Sequence, residues 1–328
     1  MQPFDPLFTN PHLATIAGNF WPRTLDSESF AVSERYFETE PGVQVLVHTQ
    51  RPDVSPKGEL ILVHGLEGSS QAGYARSLAQ TALHAGYAVH RFNMRSCGGT
   101  EAVCGKTLYH SGQTGDVLAV ARTLVREGAA PLFLIGFSLG GNVVLKLAGE
   151  LGEAAGQVVA GICAVSTPID LAACVRALKK PSNRLYADRF VKRLKERVRL
   201  KEQITPGSFD LSNMDDVKTV YDFDDRFTAQ SFGFGTADRY YATQSSNQFL
   251  AGIRVPTLIV HAKDDPMVPV EVYRHPALTE NPWIQLMLVD HGGHLGFISK
   301  RKPRFWLDGV LINWVEGRTR TLSANLVL

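Results

Sequence analysis

The chain has 328 residues, 44% hydrophobic and 20% charged, with a formal net charge of +2 at pH 7. This length accommodates one large α/β domain with an insertion, or two domains, and the composition is that of a water-soluble globular protein. The near-neutral charge argues against a nucleic-acid binder, and no stretch approaches the roughly 18 consecutive apolar residues of a membrane span.

Met1-Gln2-Pro3-Phe4-Asp5-Pro6 has neither a basic nor an apolar leader region, so it is not read as a secretory signal. Residues 1–27 are rich in Pro, Asn and aromatics, without periodicity, and are expected to form an N-terminal arm laid over the domain, with His12 structural. Residues 28–37 and 43–50 alternate apolar with polar around Pro41-Gly42, which predicts a hairpin. Residues 60–63 are wholly apolar, as a central parallel strand requires. They run into His64-Gly65-Leu66-Glu67-Gly68-Ser69-Ser70, a glycine-rich turn before a predicted helix at 71–85. Such a turn can aim backbone N–H groups at a ligand.

The next strand is predicted over 87–93. It opens into Asn93-Met94-Arg95-Ser96-Cys97-Gly98-Gly99-Thr100, a polar loop at a strand's C-terminal end, where sites in open α/β sheets gather. Arg95 is expected to pair with a buried carboxylate. Cys97 lacks the surroundings of a nucleophile. The four cysteines, Cys97, Cys104, Cys163 and Cys174, show no Cys-x-x-Cys spacing and read as reduced thiols of a cytoplasmic protein. Residues 116–128 read as a helix.

Residues 131–135 form a buried strand that meets Gly136-Phe137-Ser138-Leu139-Gly140, and a helical pattern follows over 142–151. A serine at the bend between a buried strand and a helix is a nucleophile elbow. Side chains at 136 or 140 would collide with the neighbouring elements, and the bend raises the Ser138 hydroxyl above the sheet. The Leu139 N–H, at the start of the helix, can stabilise an oxyanion. With an elbow in the chain, the turn at 64–70 gains a second role, with the Leu66 N–H as the other oxyanion donor.

A further buried strand is predicted over 158–165. The alternation of strands and helices then stops, and residues 171–250 read as a mostly helical cap inserted into a core formed by 28–170 and 251–328. Within it, 184–201 places Phe190, Val191, Leu194 and Val198 on one face, with basic residues around the rest. Such a helix can touch an anionic membrane surface, though a solvated helix packed on its own domain is the favoured reading. Tyr221, Phe223, Phe227, Phe232, Phe234, Tyr240 and Tyr241 make the insertion aromatic enough to shape an acyl pocket.

The sheet resumes over 254–261, followed by Asp264-Asp265-Pro266. Asp265 is the preferred third member of a triad, and Asp264 is then expected to cap the following turn. The last strand, 285–289, ends in Asp290-His291-Gly292-Gly293-His294. His294 is the candidate base and His291 a structural neighbour. Two histidines near Asp290 could also be metal ligands, but no further ligand with suitable spacing is evident, so neither metal nor organic cofactor is expected. Residues 303–317 read as a closing helix.

Five segments together resemble the YheT-like α/β-hydrolases: His64-Gly65-Leu66-Glu67-Gly68-Ser69-Ser70, Asn93 to Gly99, Gly136 to Asn142, Asp264-Asp265-Pro266 and His291 to Phe297. The resemblance runs from the Asn10-Pro11-His12 arm almost to the C-terminus and includes Gly233-Phe234 and Tyr240-Tyr241. It implies an α/β-hydrolase fold, a mostly parallel sheet with helices on both faces and a helical cap. It also implies Ser138, Asp265 and His294 as the triad of a carboxylic ester hydrolase acting on short- to medium-chain acyl groups. Ser96 stands where the family more often has glycine. Eukaryotic relatives are membrane-anchored lipid hydrolases; no such anchor is expected in this chain, so their membrane lipid substrates need not carry over, and the expected partner is a small-molecule ester, lipid-like or not. Serine rather than aspartate at the elbow argues against dehalogenase or epoxide-hydrolase chemistry. The same triad would serve a thioesterase, amidase or acyltransferase, and a non-catalytic binding protein on this fold is the remaining alternative.

Overall fold

Eight strands form one sheet in the computed structural model, which describes residues 3–23, 26 and 28–325. They are β1 (Ser33–Glu40), β2 (Val43–Gln50), β3 (Glu59–Val63), β4 (Ala88–Phe92), β5 (Leu132–Phe137), β6 (Gly161–Val165), β7 (Thr257–Ala262) and β8 (Ile284–Val289). Their order is β1-β2-β4-β3-β5-β6-β7-β8. β1 and β2 form an antiparallel hairpin, β2 is antiparallel to β4, and the remaining pairs are parallel. The helices are α1 (Pro11–Phe20), α2 (Gly73–His84), α3 (Thr114–Arg126), α4 (Leu139–Leu151), α5 (Leu171–Leu178), α6 (Arg184–Ile204), α7 (Val220–Phe223), α8 (Ala229–Ser231), α9 (Ala237–Gln244), α10 (Ala277–Glu280) and α11 (Trp306–Asn325).

The period-2 geometry of the central strands makes two cores. Ile61, Val63 and Leu134 face one way, toward Val117, Val120, Val144 and Leu147 of α3 and α4. Leu60, Leu62, Phe133 and Ile135 face the other, toward Leu78, Ala82, Val310 and Leu311 of α2 and α11. Each of these Val, Leu, Ile and Phe side chains contributes roughly 1.5–3 kcal/mol by leaving water, which is why strands buried on both faces carry unbroken apolar runs. A third apolar cluster joins Leu171, Val191, Leu194, Val198, Phe223, Phe227, Tyr240 and Tyr241. Apart from Leu108 it lies within residues 166–256, where no strand forms among the described residues. None of the described helices is long and apolar enough to cross a membrane.

Several boundaries differ from the expectation. β1 begins at Ser33 rather than 28, because Phe30 is held by the Gln50 side chain instead of the ladder, its carbonyl accepting from Nε2 at 2.7 Å. The closing helix starts three residues later and runs to Asn325, past Gly317. β6 is confined to Gly161–Val165 rather than starting at 158, since the Val158 and Val159 N–H groups donate back to the Ala155 carbonyl of a 3-10 turn. The expected arm at 1–27 contains a ten-residue helix, α1; Met1, Gln2, Thr24, Leu25 and Ser27 lie outside the described residues. All four cysteines are buried free thiols, and burial pushes Cys97, Cys163 and Cys174 far above the range in which a thiolate forms at neutral pH.

Candidate active site

β5 delivers Ser138 into the left-handed region, φ 52°, and α4 starts at the next residue. A Cβ on Gly136 would lie 2.3 Å from the Gly140 carbonyl oxygen, and one on Gly140 would lie 2.3 Å from that of Val63. Both positions therefore require glycine for the strand and helix to meet. The Ser138 N–H donates to the Val165 carbonyl at 2.8 Å, which ties the strained bend to β6. The Leu139 N–H belongs to the first turn of α4, where N–H groups have no partner within the helix.

His294 reaches this serine from the loop after β8, with Nε2 2.9 Å from the Ser138 Oγ. Its Nδ1 lies 2.8 Å from the Asp265 Oδ2, and the second carboxyl oxygen accepts from the Met267 and Val268 N–H groups at 2.8 and 3.0 Å. Burial alone would push the Asp265 carboxyl up, but His294 and the Val268 N–H outweigh it and hold the pKa below the usual range. An ionised carboxylate can only accept, so Nδ1 carries the proton and Nε2 is left to accept from the serine. The arrangement can thus move a proton from Ser138 to His294.

Asp264 does not cap the following turn as expected. It accepts from the Gly293 N–H at 2.9 Å and contacts His291 Nδ1 at 3.1 Å, while Asp265 takes the turn's N–H groups. Both aspartates reach the histidine loop, Asp264 with both carboxyl oxygens and Asp265 with Oδ2 alone, its Oδ1 being taken by the turn. Arg95 pairs with the buried Asp116 and with Glu40, at 2.6 and 2.7 Å. Ser96 adopts φ 56°, the left-handed conformation that suits glycine at that position. His12 contacts Tyr186 rather than the triad.

Ser138, His294, Leu66 and Leu139 line one pocket of about 880 Å³, open mouth included. Leu171, Val175, Phe190, Leu194, Val220 and Phe223 make most of its wall apolar. Among its polar groups, Asp224 keeps access to the pocket while accepting from Tyr241 Oη and Thr228 Oγ1, each at 2.7 Å, and burial pushes its pKa up to about 6. Asp224 opens a single π-helical turn over Asp224–Thr228, a distortion common at functional sites.

Sequence reasoning missed the residues that brace this site. Thr15 of α1 accepts the His294 N–H at 2.9 Å. Tyr74 accepts the Gly65 N–H and Tyr109 the Glu67 N–H, at 2.9 and 2.8 Å. On α6, Val191, Leu194 and Val198 are buried as expected, but Arg197 and Lys201 also turn inward. Helical periodicity marks the apolar face without showing which flanking cations find buried acceptors.

Comparison with known proteins agrees with this fold. The profile of the α/β-hydrolase fold family matches residues 59–301. YheT of Escherichia coli (strain K12), whose name classes it with esterases, is 33% identical over 94% of this chain and 91% of its own length. Phospholipase ABHD3 of Mus musculus is 28% identical over 80% of this chain, which spans 64% of that protein. A monoacylglycerol lipase of Saccharomyces cerevisiae is 28% identical over 79% of the chain, which spans 59% of that protein. The solved esterase Pf2001 of Pyrococcus furiosus superposes with a TM-score of 0.58 at 19% identity, over 90% of this chain and 98% of its own, a likeness of fold.

Proposed function

Because the chain belongs to the α/β-hydrolase family, alongside YheT, and is a hydrolase, we propose that it cleaves carboxylic esters of short- to medium-chain acids through an acyl-serine intermediate. His294 removes the Ser138 proton as Oγ attacks the ester carbonyl. The Leu66 and Leu139 N–H groups hold the resulting oxyanion, and Asp265 orients and stabilises the imidazolium. His294 then returns the proton to the departing alcohol. Water, deprotonated by the same imidazole, releases the acid and restores the serine. Residues 171–250 act as a cap whose apolar wall receives the acyl chain, which makes the substrate lipid-like at that end.

The observation that supports this reading is the continuous hydrogen-bonded chain Ser138–His294–Asp265, at 2.9 and 2.8 Å, lining an apolar pocket. Replacing Ser138 by Ala should reduce p-nitrophenyl ester turnover by about 10³–10⁶-fold and abolish labelling by a fluorophosphonate. Near wild-type turnover in that variant would remove Ser138 from the mechanism. Matching thioesters run beside the ester series should turn over more slowly; the reverse preference would reassign the leaving group.

A further inference from the structure

The turn that carries Leu66 is held from three sides. The Gly65 N–H donates to Tyr74 of α2, and the Glu67 N–H donates to the Tyr109 hydroxyl. Between these two fixed peptides, the Leu66 N–H donates no hydrogen bond among the described residues. Glu67 itself sits at φ 55°, a conformation that a residue with a long side chain keeps only when its surroundings impose it.

Those surroundings include the insertion. The Glu67 side chain is 2% exposed, and Arg197 of α6 grips it with both arms: Nε to Oε1 at 2.7 Å and Nη2 to Oε2 at 2.9 Å. The Tyr109 hydroxyl, which accepts the Glu67 N–H, also donates to Oε1 at 2.9 Å. Backbone and side chain of Glu67 are thus closed into one ring of contacts whose outer member belongs to α6. A buried ion pair adds little net stability compared with a packed apolar pair, so stability alone does not account for one placed here. Bidentate geometry does account for it, because it fixes orientation as well as distance.

We propose that Arg197 is a positioning residue through which α6 sets the oxyanion turn, so that the Leu66 N–H is aimed at the reacting carbonyl only while α6 is seated over the pocket. The proposal rests on the reading of Leu66 as an oxyanion donor. α6 also contributes Phe190 and Leu194 to the pocket wall, so the helix that contacts the substrate is the one that aligns the donor. A substrate too bulky for α6 to seat would then lose turnover, and not merely affinity.

The test is a cycle of Arg197→Gln, Glu67→Gln and the double variant. Each removes charge without shortening the side chain drastically, and the double leaves no unpaired buried charge. Active sites are titrated with a fluorophosphonate, so that rates refer to folded enzyme alone. With p-nitrophenyl acetate, each single variant should lose about 10–100-fold in kcat with KM changed by less than about two-fold. The Ki of a trifluoromethyl ketone, which becomes an oxyanion on addition of Ser138, should rise by the same factor. The double variant should lose no more than the worse single. A kcat within about two-fold of wild type, a change confined to KM, or losses that multiply would each overturn the coupling. Ser138→Ala, measured alongside, separates the two levels: activity that survives it sinks the hydrolase mechanism and the coupling together, whereas abolished activity with unchanged kcat in Arg197→Gln sinks only the coupling.

Discussion

Two adjacent aspartates leave β7, two histidines lie on the facing loop, and they divide into two pairs. Asp264 with His291 is the outer pair, the imidazole 42% exposed; Asp265 with His294 is the inner one, with side chains 0% and 9% exposed. Only the inner imidazole reaches Ser138. In Asp265→Asn an amide NH₂ can face Nδ1 and favour the tautomer whose Nε2 already carries a proton, so kcat should fall by about 10³–10⁴-fold. Asp264→Asn keeps an oxygen for the Gly293 N–H and should cost less than about ten-fold. The two kcat values on one p-nitrophenyl ester decide the matter, and the opposite ranking moves the acid's role to Asp264. The elbow, the late acid and the histidine loop were legible in the sequence because each is a local pattern at a strand end. Tyr74, Tyr109 and Arg197 were not: Tyr74 and Arg197 reach the site from helices whose pattern reports only the apolar face, and Tyr109 from a loop without periodicity.

At the scale of elements, α1 shows why one helix escaped the periodicity reading. Its start carries the usual signals: Asn10 Oδ1 accepts from the His12 and Leu13 N–H groups at 2.9 and 3.0 Å, with Pro11 in the first helical position. The buried face, however, is Ala14, Thr15 and Gly18, while Leu13, Ile16 and Phe20 are exposed. Small residues are buried because backbone meets backbone there: a Cβ on Gly18 would lie 2.6 Å from the Gly296 Cα, and one on Gly296 would lie 2.4 Å from the Ala14 oxygen. α1 is therefore pressed onto the loop that carries His294, and Thr15 adds a bond to that residue's N–H. Thr15→Val keeps the shape and removes the acceptor. It should lower kcat by about ten-fold and stability by about 1–3 kcal/mol, read by ester turnover and urea unfolding. Wild-type kcat in that variant would reduce α1 to a cover with no part in aligning the base.

For the whole molecule, the buried titratable groups predict how stability responds to acid. Burial, partly offset by neighbouring acceptors for His64 and His261, holds His64, His110 and His261 at about 4, 3 and 4, against an ordinary 6.5. As pH falls from about 6.5 toward 4, the unfolded chain takes up protons that these folded imidazoles refuse, so stability is lost across that window. Two carboxyls act the other way. Asp224 and Asp308 are pushed up to about 6 by burial, so the folded chain takes up protons first and gains stability as pH falls from about 6 to 4. Each unit of difference is about 1.4 kcal/mol, and three histidines displaced by more than two units outweigh two carboxyls displaced by about two. The net loss between pH 7 and pH 4.5 should be on the order of 4 kcal/mol, measured by urea unfolding at both values. Asp224→Asn removes one of the opposing groups and should steepen the loss. His110 and Asp224 both line the pocket at Ser138, so its polar lining feeds directly into this balance. Equal or greater stability at pH 4.5 would mean that these histidines are protonated in the folded protein, and that the pocket is wetter than its apolar wall implies.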